Sequence, residues 1–349
     1  ANHKAYACVM AGGSGERFWP MSRQATPKHL LKLFSDRTLV EETVRRLEGV
    51  VPLSNVLVLT NQAQLAATRQ ALPFLSATQI VAEPAKRDTA AAAALATALV
   101  RARDPEAVMA LLPADALIKD IGTFARQMAA ALTRAGGTEA LLTFAIKPTY
   151  PATGFGYLEM GADLGGGFRR VSRFVEKPDL PTAERYVAGG NHAWNAGMFV
   201  WRAASFLAEA ERQTPMLAEF IRTFPRSDVA DHLAKTFPTL EPRVSVDYAI
   251  MEKAAVVETL VAEFDWDDVG AWTALPAHLP TDACGNTARG AVLQVDAANN
   301  IAISNGRIIA LCGVKDLVVV ETPDAVLVCH RDSVQQIKRL MPDLPNEAR

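Results

Sequence analysis

Cysteine is scarce in this sequence, and its arrangement limits what the protein can be. The chain of 349 residues has four cysteines, Cys8, Cys284, Cys312 and Cys329, and no two of them are spaced as a Cys-x-x-Cys pair. In a chain of this size we interpret them as reduced thiols rather than as a disulfide framework. Reduced thiols predict a cytoplasmic protein.

Runs of basic residues and long apolar stretches are also missing. The 36 Lys and Arg residues balance 38 Asp and Glu residues, and no Lys/Arg run is available to neutralise a phosphate backbone, so nucleic acid is not expected as a partner. No window reaches the roughly 18 apolar residues of a membrane span, and the first residues lack the apolar core of a signal peptide. We therefore expect no membrane association.

The composition is that of a folded globular protein. Half of the residues are hydrophobic and 21% are charged. The length exceeds that of one minimal domain, so one large domain with a smaller one is expected.

Short apolar runs alternate with helix-period stretches in the first half of the chain. The runs are AYACVMA (5–11), VLVLT (56–60), TQIVA (78–82), AVMALLPAD (107–115) and ALLTFAI (140–146). This alternation predicts a mostly parallel sheet that is covered by helices on both faces. Ligands bind such sheets at the carboxyl ends of the strands.

The pattern changes twice further along the chain. After about residue 150 come the short segments GFGYLEM, RRVSRFVEKP and NAGMFVWRA, which we interpret as additions to the same domain that build a substrate pocket. From about residue 286 five apolar segments follow one another with turn signals between them. They predict a small all-β domain, closed by a helix around DSVQQIKRL.

A glycine-rich loop follows the first apolar run. It places Gly12, Gly13 and Gly15 before Arg17, and Lys28 follows in a Pro-Lys pair. Such a loop can turn backbone N–H groups toward a triphosphate, while the two cations supply positive charge. A lone GGSG would be interpreted as a tight turn. The loop is not a Walker A motif, and Phe18 stands where a dinucleotide fingerprint needs its third glycine.

The motifs, taken in order, resemble those of the sugar-nucleotide pyrophosphorylases, and among these the bacterial mannose-1-phosphate guanylyltransferases. The opening GGSGERFWPMSRQATPK carries the resemblance together with seven later motifs. These are EPAKRDTA (83–90), LPAD (112–115), TGFGYLE (153–159), FVEKP (174–178), WNAGMF (194–199), VSVDYAIMEKA (244–254) and WDDVGAW (266–272). The resemblance covers nearly the whole chain.

The resemblance implies both a fold and a reaction. The fold is α/β, a Rossmann-like nucleotidyltransferase (GT-A-like) domain with a mixed sheet and helices on both faces over residues 1–284, followed by a short left-handed β-helix over residues 285–349. The implied reaction joins GTP and mannose 1-phosphate to give GDP-mannose and pyrophosphate, with Mg²⁺ as cofactor. The resemblance also implies a homodimer.

Site residues follow from the motif positions. By resemblance, Arg17 and Lys28 neutralise the triphosphate, Lys177 lies near the sugar phosphate, and Asp115 and Asp268 hold Mg²⁺. The nucleotide-binding set is Ala11, Gly12, Gly13, Ser14, Gly15, Glu83, Asp88 and Thr89, and the sugar-binding set is Asp115, Gly154, Glu176 and Asn195. Both metal-binding Asp residues come just after apolar segments, where a strand end would present them.

Other interpretations of these positions stay open from the sequence. Asp115 alone can be a helix N-cap or a loop carboxylate, and Asp265 and Asp267 are rivals of Asp268. Asp268 is preferred because relatives commonly have Ser or another residue where Asp267 stands. Two positions depart from the family pattern: Asp88 replaces the usual Asn, and His29 replaces the usual Gln.

Three alternative functions are compatible with parts of this pattern. The same chemistry with another sugar 1-phosphate or nucleotide is the nearest, and a non-catalytic regulatory homologue is the second. A dehydrogenase is disfavoured by the missing third glycine and by Asn61, which follows the second strand where an acidic residue is expected.

Overall fold

A nine-stranded mixed sheet forms the centre of the protein. The computed structural model describes residues 4–349. The strands are β1 (Ala5–Met10), β2 (Val56–Asn61), β3 (Ile80–Glu83), β4 (Val108–Pro113), β5 (Leu141–Ile146), β6 (Tyr157–Gly165), β7 (Phe168–Val175), β8 (His192–Arg202) and β9 (Val257–Val261). Their order in the sheet is β3-β2-β1-β4-β8-β5-β9-β7-β6. All five strands predicted in the first half of the chain are present.

The sheet is parallel on one side and mixed on the other. Strands β3, β2, β1 and β4 run parallel, whereas β8 lies between β4 and β5 and is antiparallel to both. Strand β6 pairs with β7 and also with β8. The segments after residue 150 therefore extend the first sheet, as predicted.

Helices cover both faces of this sheet, and the side chains of β1 show how. Ala7 and Val9 join one apolar cluster with the helices of residues 39–45 and 121–136, while Tyr6 and Cys8 join another with the helices of residues 88–103, 203–213 and 215–222. The helices are α1 (Leu39–Arg45), α2 (Leu65–Ala71), α3 (Asp88–Arg103), α4 (Ile121–Gly136), α5 (Leu180–Gly189), α6 (Ala203–Gln213), α7 (Pro215–Arg222), α8 (Val229–Thr236) and α9 (Val246–Ala249).

Helix α3 is the most buried of the helices that cover the nine-stranded sheet. Every residue from Ala90 to Val100 is buried, because alanine side chains let the sheet on one side and α6 and α7 on the other approach closely. The helix begins at Asp88, whose backbone is left-handed with φ +68°.

The C-terminal region is all-β, as predicted. Its strands are β10 (Thr287–Arg289), β11 (Val292–Val295), β12 (Ile301–Ile303), β13 (Ile309–Cys312), β14 (Leu317–Glu321) and β15 (Val326–His330). Strands β10, β12 and β14 form one parallel ladder with β15 antiparallel at its edge, and β11 pairs in parallel with β13. The closing helix is a 3₁₀ helix (Arg331–Asp343), called the C-terminal 3₁₀ helix below.

Two further expectations can be compared with the structure. All four cysteines are free. Among the helices of residues 4–349, none combines the length and the apolar character that crossing a bilayer requires.

Candidate active site

A cavity of about 560 Å³ opens at the carboxyl ends of the central strands. Met10 and Pro113, the last residues of β1 and β4, form part of its wall. This is where open α/β sheets bind ligands. Most of the predicted site residues lie around this cavity.

The glycine loop forms one wall through its second half. Ser14 and Gly15 line the cavity. Gly15 has φ +61°, and a Cβ atom there would lie 2.3 Å from Lys28 Cβ, so only glycine fits against that side chain. Ala11 is buried and donates its N–H to Leu59 O at 2.7 Å.

Gly12 and Gly13 belong to the same loop but do not line the cavity. Both are exposed, and an added Cβ atom would meet nothing within 4 Å. Their backbone is not in the left-handed region. Neither packing nor conformation requires glycine at these two positions, so the turn interpretation does not account for them.

The two cations of the loop face the cavity by different means. Arg17 Nη1 donates to Gly270 O at 3.3 Å. Lys28 is 7% exposed, and its Nζ donates to Asp115 Oδ2 at 3.0 Å and to Asp268 O at 2.6 Å. Lys28 thereby joins the two residues predicted to hold metal.

Asp115 and Asp268 both line the cavity, but their surroundings differ. The Asp115 side chain is 44% exposed. Burial raises the pKa of Asp268 to about 6; nearby Lys28 opposes this shift, and Asp267 and Asp115 add to it. The ionised form of Asp268 would be stabilised by a bound cation.

The rival acidic residues are occupied elsewhere. Asp267 accepts a hydrogen bond from Val269 N at 2.7 Å and lies 2.6 Å from His278 Nε2. Asp265 accepts hydrogen bonds from the N–H groups of Lys119 and Asp120. Of these three carboxylates, the one that lines the cavity is that of Asp268.

One detail of the prediction for Asp268 is wrong. Strand β9 ends at Val261, so a strand end does not present Asp268 directly. Instead, Leu117 and Asp267 form an isolated antiparallel bridge with two backbone hydrogen bonds of 2.8 and 3.0 Å. The bridge ties the loop of Asp268 to the segment that follows β4, which carries Asp115.

The predicted sugar-binding residues Gly154, Glu176 and Asn195 line the cavity together with Lys177. Adjacent residues of one strand would point to opposite faces. Strand β7 ends at Val175, however, and Lys177 has a left-handed backbone with φ +43°. Both side chains can therefore face the cavity, and Lys177 Nζ lies 3.0 Å from Glu176 Oε1.

Asn195 is held in a hydrogen-bond network that reveals a residue missed in the sequence. Its Oδ1 accepts from Thr143 Oγ1 at 3.0 Å, and its Nδ2 donates to Asp247 Oδ1 at 2.6 Å. Asp247 lines the cavity. Burial raises its pKa to about 6; the Asn195 hydrogen bond opposes the shift, and Glu176 adds to it.

Only part of the segment EPAKRDTA lies in the cavity wall. Thr89 lines the cavity, and its Oγ1 accepts from Val246 N at 2.9 Å, which fixes the start of α9 next to Asp247. Glu83 and Asp88 do not line the cavity. Burial raises the pKa of Glu83 to about 7. Asp88 Oδ1 accepts from Thr89 N at 2.6 Å at the first turn of α3.

Two further wall residues were not among the predicted site residues. Trp266 lines the cavity and packs edge to face on Phe155, with 5.5 Å between ring centroids. Lys338, from the C-terminal 3₁₀ helix, also lines it. Sequence reasoning had no means of bringing the end of the chain to the glycine loop.

His29 lies behind the site rather than in its wall. It is 2% exposed, its Nε2 has no hydrogen-bond partner, and burial lowers its pKa to about 4. The imidazole is therefore neutral near pH 7, so His29 fits a structural role better than a contact with phosphate.

The family of the chain follows from a comparison of sequences. A profile described as "Nucleotidyl transferase" matches residues 6–282. The chain belongs to this family. It is an enzyme, and the resemblance inferred from its motifs is confirmed. A second profile, described as "MannoseP isomerase/GMP-like beta-helix domain", matches residues 290–344 and confirms the β-helix of the predicted fold class.

Relatives extend the match over the whole chain. A mannose-1-phosphate guanylyltransferase of Escherichia coli K12 is 36% identical, over 100% of this chain and 75% of its own length. The xanthan biosynthesis protein XanB of Xanthomonas campestris is 36% identical over 98% of this chain and 73% of its own. A Thermus thermophilus structure described as mannose-1-phosphate geranyltransferase is 33% identical, with a TM-score of 0.89, and the match covers 97% of this chain and 99% of that one.

Proposed function

We propose that this nucleotidyltransferase transfers GMP from GTP to α-D-mannose 1-phosphate and releases pyrophosphate. One observation carries the proposal: a single cavity joins the cationic end of the glycine loop to a wall of Glu176, Asn195 and Asp247. Cations suit a triphosphate, and carboxylate and amide groups suit sugar hydroxyls. The mannose-1-phosphate guanylyltransferase of Escherichia coli, 36% identical over this chain, supports this pair of substrates.

The chemistry needs two anions to meet in one cavity. A phosphate oxygen of the sugar phosphate attacks the α-phosphorus of GTP, and the bond from that phosphorus to the β-phosphate bridging oxygen breaks as pyrophosphate leaves. The attacking oxygen is already ionised near neutral pH, so no general base is needed. Arg17 and Lys28 neutralise the triphosphate, and Lys177 attracts the sugar phosphate.

The charge of the cavity supports a metal cofactor. The cavity is lined by four Lys and Arg side chains and by five Asp and Glu side chains. The positive charge of the protein alone therefore does not neutralise the negative charge of two phosphorylated substrates. Residues 4–349 contain no group of three or more His, Cys, Asp or Glu residues arranged to hold a metal ion. Asp115 and Asp268 fit Mg²⁺, which takes few carboxylates and fills its remaining positions with phosphate oxygens and water. When bound, Mg²⁺ would neutralise phosphate charge.

The guanine base is assigned to the segment that precedes α3. Guanine presents N–H donors, so its pocket needs acceptors, and Glu83, Asp88 and Thr89 supply oxygen atoms there. Thr89 lines the cavity, whereas Glu83 and Asp88 stand outside its wall. Recognition of the base through these two carboxylates is part of the proposal.

We further propose that the enzyme is a cytoplasmic homodimer that associates through its β-helix. Large apolar side chains are exposed on this region: Leu293, Val295, Ile308, Val326 and Val328 are each more than half exposed. Apolar surface of this kind is commonly covered by a partner. Light scattering of the purified enzyme would give twice the mass of one chain, and a monomer at micromolar concentration would contradict this part.

The deciding experiment is pyrophosphate release with Mg²⁺, with each of GTP, ATP, UTP and dTTP tested against mannose 1-phosphate and against glucose 1-phosphate. The proposal expects release with GTP and mannose 1-phosphate alone. Another active pair would keep the mechanism and change the substrate. No release with any pair, from folded protein, would favour the non-catalytic homologue.

A further inference from the structure

The C-terminal 3₁₀ helix packs directly on the residues that follow the glycine loop. Val334 and Ile337 of this helix are buried in one apolar cluster with Phe18 and Trp19. The main chain beyond the helix is tied to the same loop, because Trp19 Nε1 donates to Ala348 O at 2.9 Å. The position of this helix relative to the loop is therefore fixed by packing and by hydrogen bonding.

This packing places a lysine in the wall of the active-site cavity. Lys338 follows the buried Ile337, and its side chain is exposed. It lines the cavity together with Ser14, Gly15, Glu16 and Arg17. In residues 4–349, no carboxylate forms an ion pair with either Lys338 or Arg17. Two cations that form no direct ion pair thus line the same cavity, and Glu16 and Asp268 are the acidic residues near them. Burial raises the pKa of the Asp268 carboxyl group, and Arg17 lies close enough for its guanidinium to oppose this rise.

We propose that Lys338 binds the β- and γ-phosphates of the nucleoside triphosphate, and hence the pyrophosphate product. This rests on the proposed function, which places the triphosphate against the glycine loop. Lys338 and Arg17 repel each other because they carry like charges. A multiply charged anion bound between them attracts both side chains, so the electrostatic interaction becomes favourable. Lys177, assigned to the sugar phosphate, enters the cavity from the end of β7.

The β-helix region therefore supplies a substrate contact in addition to its structural role. The packing of Ile337 and Val334 orients the helix, and Lys338 reaches the cavity from it. Lys338 contacts the departing end of the triphosphate, so its charge is expected to affect nucleotide and pyrophosphate affinity rather than sugar-phosphate affinity.

The test compares two neighbouring cations of one helix. Lys338→Gln removes the cavity lysine, and Arg339→Gln removes an exposed charge that does not line the cavity. We expect Lys338→Gln to raise the KM for GTP, and to weaken calorimetric binding of Mg²⁺-pyrophosphate, by about fivefold, as for one partly solvated charged contact. The KM for mannose 1-phosphate should stay unchanged, Lys338→Arg should restore affinity, and Arg339→Gln should behave as wild type.

The outcomes separate this inference from the proposed function. Equal effects of Lys338→Gln and Arg339→Gln would show that any positive charge on this surface raises the affinity. An unchanged pyrophosphate affinity in folded Lys338→Gln would show that Lys338 does not contact pyrophosphate. Either result overturns the inference. If wild-type enzyme binds pyrophosphate but turns over none of the substrate pairs, the proposed function fails, and the binding comparison still decides the role of Lys338.

Discussion

At the scale of single residues, Lys28 links the parts of the site that sequence places far apart. Its ammonium donates to the side chain of Asp115 and to the main chain of Asp268. Its Cβ atom also lies only 2.3 Å from the position that a Cβ atom of residue 15 would occupy. One buried lysine therefore fixes the glycine loop and the segments of Asp115 and Asp268 relative to one another.

The two neighbouring aspartates should give opposite phenotypes. Asp268→Asn is expected to abolish Mg²⁺-dependent turnover and to weaken Mg²⁺ affinity, measured by calorimetry with GTP present, while thermal stability is kept. Asp267→Asn removes a charged acceptor for Val269 N, so it should cost about 1 to 3 kcal/mol of stability and keep the Mg²⁺ dependence. Near-normal turnover of Asp268→Asn would remove that residue from the mechanism.

Asp247 should make stability depend on pH. Its pKa is raised from 3.8 to about 6 by burial, so between those values the folded state binds more protons than the unfolded state. Stability from this group therefore falls as pH rises through that window and stays low above it. Asp247→Asn removes the cost, so its melting temperature should exceed that of wild type by more at pH 8 than at pH 5.

The same substitution should impair function, because in the proposed reaction the Asp247 carboxylate accepts hydrogen bonds from sugar hydroxyls, and a neutral amide is a weaker acceptor. A raised KM for mannose 1-phosphate with an unchanged KM for GTP is expected. A stability difference between the two proteins that does not vary with pH would show that Asp247 titrates in its ordinary range.

At the scale of elements, packing and backbone conformation require glycine at position 15 of the glycine loop but not at positions 12 and 13. Gly15→Ala forces a side chain into a left-handed backbone and against Lys28 Cβ, so it should destabilise the fold by about 1 to 3 kcal/mol in a denaturant titration. Gly13→Ala should leave the stability of the fold unchanged, because the added methyl group would have no atom within 4 Å. Its KM for GTP should rise, because the added methyl keeps phosphate away from the backbone. An unaltered KM would mean that Gly13 does not approach the nucleotide.

Elements with a clear hydrophobic period were predictable from the sequence, and their long-range pairing was not. The runs that predicted β1 to β5 are mostly apolar, without a strict alternation of polar and apolar residues, because both faces of the sheet are covered. The insertion of β8 between β4 and β5 depends on contacts between distant segments, which no local pattern encodes. The motif VSVDYAIMEKA (244–254) gave no hint that its Asp247 lines a cavity.

Most of the site residues were predicted from the motif resemblance, and the structure explains two of the motif positions by their backbone conformation. Position 88 needs a left-handed backbone, which Asn and Asp adopt most readily after glycine, so Asp in place of the usual Asn keeps the start of α3. The left-handed backbone at Lys177 likewise resolves why two adjacent residues share one cavity. Neither conformation can be read from sequence periods.

At the scale of the whole molecule, the β-helix and the catalytic region share a core. Phe18, Leu31 and Leu33 pack in one cluster with Ile301, Val318 and Ile337. The two regions should therefore unfold together, as one calorimetric transition. Ile337→Ala, at a position 2% exposed, should cost about 2 to 5 kcal/mol and lower that single transition. Two separate transitions would show that the regions are stable independently.

The position of Trp266 gives the enzyme an internal optical reporter. Of the five tryptophans, Trp201 and Trp272 are fully buried, and Trp19 and Trp194 are nearly so, whereas Trp266 is partly buried in the cavity wall. Emission from an indole depends on the polarity around it, so occupancy of the cavity should change the intrinsic fluorescence of the unlabelled enzyme. Trp266→Phe should abolish that change, and the other four tryptophans would then supply a constant background.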